Sequence, residues 1–166
     1  MKKLLEIGEI VKPQGIKGEV KLVPYFENLK AYKSLKRVII DGQSKEIVGA
    51  RHDGSGVFLL LKGISDRNTA ELMRKKMVSI PIDEAEPFRN GYFIVELEGL
   101  KVYVGEKSVG TLKEVLKTGS VDVFSVKGDK PFMVPYLNKL VSEIDLEKGI
   151  MVLDPNVFEE VVCYED

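Results

Sequence analysis

The side chains able to make or break bonds are few and scattered. His52 is the only histidine and Cys163 the only cysteine. A histidine-based metal cluster is therefore excluded, and a catalytic triad would need a nucleophile that nothing near His52 supplies. His52 is expected to be an ordinary strand or turn residue. Cys163, beside Val161, Val162 and Tyr164, is expected to pack as a small apolar side chain. Alone, it can form neither an internal disulfide nor a multi-thiolate metal site, which agrees with a reducing compartment. The acid pairs Glu96/Glu98 and Glu159/Glu160 have the types that acid–base work needs, but in an acidic stretch of chain solvated charges are the default. No Gly-Lys-Ser/Thr triplet completes a phosphate loop and no Gly-x-Gly-x-x-Gly opens a helix. The expectation is a protein that is not an enzyme and carries no cofactor or metal.

Residues suited to binding are better represented. Lys12, Lys17 and Lys21 cluster around a turn, where they can meet RNA phosphates or simply keep an exposed strand soluble. Arg74-Lys75-Lys76 could do the same, although complementing the carboxyl end of a helix accounts for them. Tyr92-Phe93 is a second candidate. Adjacent aromatics on a strand point to opposite faces, so burying both needs an interdomain surface, a partner, or a non-strand turn. Pro135-Tyr136 is a third, at the end of a strand, with core packing as its competitor. The net charge of −1 conceals an asymmetry: residues 1–83 carry 16 basic against 10 acidic residues, and residues 84–166 carry 9 against 16. A basic half attracts nucleic-acid phosphates, and an acidic half suits a basic protein.

The elements that must position these groups are short strands. Alternating apolar residues predict strands at 4–11, 18–24, 37–40, 46–51, 57–61 and 77–80, and a helix capped by Ser65 or Asp66 that contains Ala70, Leu72 and Met73. In the first hairpin Ile7, Ile10, Ile16, Val20 and Leu22 supply strand residues, while Pro13, Gly15 and Gly18 permit the turn. A polar stretch with Pro87 and Gly91 shows neither period and is expected to be a linker, giving domains at 1–83 and 91–166 with 84–90 between them. Further strands are predicted at 101–104, 109–116, 121–126, 132–134, 141–145 and 150–153, followed by a short acidic tail with a turn of helix near 157–161. Closing such strands into two small antiparallel barrels buries one face of each and removes free edges. The longest apolar run, Val57 to Leu61, is far too short to cross a bilayer, and Glu6 and Glu9 interrupt any signal-like stretch at the start, so a cytoplasmic protein without membrane contact is expected.

Two Gly-anchored segments, GEIVKPQGIKGEVKL from Gly8 and FMVPYLNKLVSEIDLEKGIMVLDP from Phe132, occur in this order with GISDRNTAEL from Gly63, Tyr92-Phe93, Gly99-Leu100-Lys101-Val102 and Val115-Leu116-Lys117-Thr118-Gly119 between them. Together they resemble the RimM family of bacterial ribosome maturation factors over almost the whole chain. That pattern usually has Tyr-Tyr in place of Tyr92-Phe93, a glycine near Lys75, and asparagine in place of Val121. The resemblance implies an all-β fold, with a translation-factor-like barrel followed by a PRC barrel. It implies a non-enzymatic factor that assists assembly of the small (30S) subunit head and 16S rRNA processing. The expected partners are the nineteenth small-subunit ribosomal protein, immature 30S subunits and 16S rRNA, and the protein is expected to be a monomer. Tyr92, Phe93, Pro135 and Tyr136 are the expected contacts to the ribosomal protein, and Lys12, Lys17 and Lys21 the expected contacts to rRNA. A general RNA-binding barrel is the competing reading, and an RNA-processing enzyme a weaker one.

Overall fold

The computed structural model describes residues 3–165, which fall into two compact units, Met1–Asn90 and Gly91–Asp166. Among the described residues of the first unit six strands close into an antiparallel barrel: β1 (Leu4–Gln14), β2 (Glu19–Pro24), β3 (Arg37–Ile40), β4 (Gln43–Asp53), β5 (Gly56–Leu61) and β6 (Met77–Pro81). Their order around the barrel is β1-β2-β5-β4-β3-β6, and β6 returns to pair with β1. The two-residue period, reset in β1 by a register shift between Glu6 and Gly8, places Ile7, Ile10, Val20, Leu22, Val57, Leu59, Val78 and Ile80 inside, each fully buried.

The hairpin tip differs from the expected pattern. Ile16, expected in a strand, sits in the turn and is 79% exposed. The turn is pinned from both sides. Arg67 Nη1 donates to the Gly15 carbonyl at 2.9 Å, and Gly18, at φ +95°, lies so close to the loop after β5 that a Cβ would meet the Ile64 carbonyl oxygen at 2.3 Å. Only glycine allows that approach.

Two short helices sit in this unit, α1 (Lys30–Lys33) and α2 (Arg67–Glu71). The sequence pattern did not predict α1. Its Tyr32 is fully buried; its hydroxyl donates to the Ile7 carbonyl at 2.6 Å and accepts from the Tyr25 and Phe26 amides at 3.2 Å. Burial pushes the phenol pKa up, which keeps it a donor. Tyr32→Phe removes one donor and one doubly used acceptor, so a loss of about 1–3 kcal/mol in unfolding free energy is expected. A urea titration that shows an unchanged midpoint would mean water replaces the hydroxyl.

Asp66 caps α2 by accepting from the Thr69 amide at 2.7 Å, as expected. That bond is the main cause of an Asp66 carboxyl pKa below the usual carboxylate range. The cap therefore contributes above the unfolded pKa and is lost as pH falls through the folded one. The basic run after α2 lies beyond the helix. Arg74 pairs with Glu71 and donates to the Val11 carbonyl at 3.1 Å, and Lys76 pairs with Asp41. Residues 82–88, which include most of the stretch expected to be a linker, form two 3₁₀ turns, Ile82–Glu84 and Glu86–Phe88, that bury Ala85 and Phe88. The Phe88 ring meets Tyr32 edge-on at 4.9 Å and Phe26 at 5.4 Å.

The second unit opens with α3 (Ile94–Leu97), followed by β7 (Lys101–Val104), β8 (Lys107–Lys117), β9 (Asp122–Lys127), β10 (Phe132–Pro135), β11 (Val141–Asp145), β12 (Ile150–Leu153), α4 (Pro155–Val161) and β13 (Cys163–Tyr164). The strands form one sheet in the order β11-β12-β7-β8-β9-β10-β13. All its pairs are antiparallel except β12 with β7, which run parallel. The Asp145–Lys148 turn of the predicted β11–β12 hairpin is held by the Asp145 carboxylate, which accepts from the Lys148 amide at 3.0 Å. Leu97, Val102, Leu112, Phe124, Phe132, Leu140, Met151 and Phe158 form the core. The stretch expected to be an acidic tail is more structured than that, because α4 buries Phe158 and β13 pairs with β10.

Candidate functional site

The second unit carries a cleft of about 190 Å³, lined by Tyr92, Tyr136, Asn138, Val141, Ser142, Glu143 and Ile144. Three elements build it. Gly91, at φ +90°, turns the chain ahead of α3 and leaves Tyr92 45% exposed. Tyr136 follows Pro135 at the end of β10; its amide donates to the Asp122 carbonyl at 2.8 Å and its ring lies 4.8 Å from that of Phe124. The third wall is β11, an edge of the sheet.

The cleft therefore joins two phenol rings and apolar Val141 and Ile144 to an amide, a hydroxyl and a carboxylate. Ser142 Oγ is committed to the Val152 carbonyl at 3.1 Å. Glu143 is exposed and has no cationic partner among the described residues. Such a surface can grip an apolar or aromatic side chain and pair with a cation beside it.

Of the four residues expected here, Tyr92 and Tyr136 line the cleft together. Pro135 is half-buried and Phe93 is 6% exposed, and neither is among the lining residues. Tyr92 and Phe93 do not lie on a strand: Phe93 caps α3 at its amino end, its amide donating to Glu96 Oε1 at 3.0 Å. That bond also gives Glu96 a structural role. Asn138 and Glu143 were not singled out from the sequence; the only signal for them was their position near Pro135-Tyr136 in the second Gly-anchored segment.

In the first unit Lys12 and Lys21 stand directly opposite each other on β1 and β2, and Lys17 lies in the exposed turn between those strands. Among the described residues none of the three has an acidic partner. Like charges facing across two strands cost stability unless something neutralises them. A neighbouring group was missed in the sequence. Arg51 of β4 lies over the Phe58 ring, 4.2 Å from its centroid, and makes two bonds to Glu19 of β2, Nε to Oε2 at 3.0 Å and Nη2 to Oε1 at 2.7 Å. The hydrogen bond to Glu19 is the chief reason the Arg51 pKa is raised.

Reactive groups remain dispersed. Among the described residues no three His, Cys, Asp or Glu side chains are placed to hold a metal ion. His52 is a β4 residue opposite Val57, and Cys163, expected to pack, is exposed on β13 opposite Met133. Among the described residues no helix is long and apolar enough to cross a membrane.

The chain matches the RimM N-terminal domain family over residues 5–85 and the RimM PRC barrel domain family over residues 94–158. It is 39% identical over 145 residues to the ribosome maturation factor RimM of Desulfitobacterium hafniense, covering 84% of this chain and 85% of that one. Against the ribosome maturation factor RimM of Clostridium botulinum it is 36% identical over 157 residues, covering 93% and 96%. A crystal structure of a 16S ribosomal RNA processing protein RimM from Pseudomonas aeruginosa is similar at 33% identity, covering 92% of this chain and 97% of that one, with a TM-score of 0.47.

Proposed function

The chain belongs to the RimM family of non-enzymatic ribosome maturation factors, which act in 16S rRNA processing, and on that premise we propose that it is a transient holder working through two differently charged surfaces. The cleft of the second unit receives the nineteenth small-subunit ribosomal protein, while Lys12, Lys17 and Lys21 of the first barrel lie against 16S rRNA in the immature 30S subunit. It works as a monomer in the cytoplasm, with no cofactor and no membrane surface.

The cleft carries this reading: two tyrosines and an unpaired Glu143 converge in one place. Charge supports it. Residues 1–90 hold 17 basic against 12 acidic residues, net +5, and residues 91–166 hold 8 against 14, net −6. A ribosomal protein is basic because it lies on rRNA, so the acidic unit attracts it and the basic unit attracts its RNA neighbourhood. Tyr92 and Tyr136 are the anchors in contact; buried Phe93 and half-buried Pro135 hold them in place. Calorimetric titration of the purified ribosomal protein into the full chain tests the reading, and absence of binding would defeat it.

The lysines are tested separately. Neutralising Lys12, Lys17 and Lys21 to glutamine is expected to flatten the dependence of log K on log salt for binding to immature 30S subunits by about 2 to 3, one released counterion per lost phosphate contact. Binding to the isolated ribosomal protein should survive. An unchanged slope would assign these lysines to solubility.

The opposed Lys12–Lys21 pair favours a second reading, a general RNA-binding barrel. Such a protein would bind naked 16S rRNA as tightly as it binds immature subunits, and the net −6 of the second unit opposes that.

A further inference from the structure

The outward face of the first barrel carries a cross-strand row, Lys12 on β1, Lys21 on β2, Phe58 on β5 and Arg51 on β4, each registered opposite the next. Three inter-strand steps of about 4.8 Å make the row roughly 14 Å wide. Phe58 points outward, since its neighbours Val57 and Leu59 face the core, yet it is only 3% exposed. Arg51 covers it, reaching across β5 to Glu19 on β2. The Lys21 stem lies over Gly56, two residues along the same face, where a Cβ would come within 3.4 Å of the lysine Cε.

Arg51 is thus fixed on one face by a ring and along one edge by a carboxylate, while its side chain remains 53% exposed. With Phe58 against one face and Glu19 along one edge, the guanidinium face turned away from the ring is the one left for a ligand. A flat, delocalised cation held this way has already lost its rotamer freedom and presents a π-like surface to solvent. Two lysines without acidic partners, Lys21 and Lys12, continue the row on one side of it. Single-stranded RNA offers the matching chemistry: unstacked bases that lie on aromatic or guanidinium planes, joined by phosphates that seek cations.

We propose that Arg51, clamped between Phe58 and Glu19, is a stacking platform for an unpaired RNA base, with Lys21 and then Lys12, both on the β2–β1 side of the row, holding successive phosphates of the strand that leads away from that nucleotide. The inference rests on the reading of the first barrel as the rRNA-facing unit and deepens it, by specifying that the contact is to unpaired RNA and that planarity matters as well as charge. Glu19 acts as a positioning residue. Its negative charge opposes phosphate, but it sits on the clamped edge and steers the guanidinium flat.

The test uses the full chain, a single-stranded oligouridylate, an RNA duplex of equal length, and fluorescence anisotropy across a salt series. Arg51→Ala and Arg51→Lys are each expected to weaken single-strand binding about fivefold or more. For Arg51→Lys the salt slope should be unchanged, because the charge is kept and only the plane is lost. Lys12→Gln with Lys21→Gln should lower the slope by about 1.4. Duplex binding should be insensitive to Arg51→Lys. Thermal melts confirm folding, and Arg51→Lys retains an aliphatic stem over Phe58 should Arg51→Ala prove unstable. An Arg51→Lys protein that binds the oligouridylate like the parent overturns the platform, as does an equal loss on the duplex. A parent chain that binds neither RNA but still binds immature 30S subunits overturns it too, while leaving the cleft reading intact. Failure of the parent to bind the ribosomal protein would strike that reading alone.

Discussion

Replacing Tyr92 and Phe93 together by alanine is expected to weaken association with the nineteenth small-subunit ribosomal protein by about 2 kcal/mol or more, roughly 30-fold. The two rings should contribute differently. Tyr92 is 45% exposed and lines the cleft, so Tyr92→Ala should cost affinity and leave stability nearly unchanged. Phe93 is 6% exposed at the amino end of α3, so Phe93→Ala should lower the melting temperature and reach affinity only through a displaced Tyr92. Thermal unfolding beside calorimetric binding separates them. If affinity falls only in proportion to stability in all three variants, the pair is core and the recognition role is wrong.

A larger effect on stability is expected from Phe132→Ala, about 3–5 kcal/mol. Phe132 is 1% exposed in β10, and its ring meets Phe158 of α4 edge-on at 5.1 Å and Tyr164 of β13 at 6.2 Å. Removing it leaves a cavity where three elements meet, and the 155–164 segment loses the apolar surface on which it rests. Urea unfolding of the full chain should show the transition of the second unit moving to lower denaturant while that of the first barrel stays in place. Two transitions moving together would mean that residues 84–90 do not mark a boundary between independently folding domains.

Much of the strand framework was legible because a sheet with one buried face imposes a two-residue period, and glycines interrupt it. The segments Lys101–Val104, Val141–Asp145 and Ile150–Leu153 agree with the structure residue for residue. β4 runs further than expected because Gln43, Ser44 and Lys45 are polar, and their strand geometry comes from pairing with β3. α1 spans four residues, too few to display a helical period, and its defining hydrogen bond reaches 25 residues back to Ile7. The parallel pairing of β12 with β7 is likewise a long-range choice on which alternation is silent. Lys75 has φ +70°, a backbone position suited to glycine, at the place where the resemblance led a glycine to be expected.

The candidate sites were only half legible. Tyr92 and Tyr136 could be singled out as aromatics at element ends, but their convergence on β11 depends on tertiary placement. The Arg51–Phe58–Glu19 arrangement depends on the register of β2, β5 and β4, with Arg51 and Glu19 32 residues apart. One clue was present. In the continuous apolar run Val57–Leu61, alternate residues must face out of a barrel wall, and an outward phenylalanine needs a cover.

The barrel of the first unit closes by pairing β1 with β6, so its first strand waits for its last. During synthesis that closure becomes available once Pro81 has emerged, whereas the second unit needs β13, whose last residue, Tyr164, lies 83 residues further on. At about 5–20 residues per second that interval is roughly 4–17 s. Closure within it takes the long free edges of β1 and β6 out of reach of neighbouring nascent chains while the second sheet is still being made. Vectorial production thus hands the slow, long-range step to the half of the chain that has the most time to complete it.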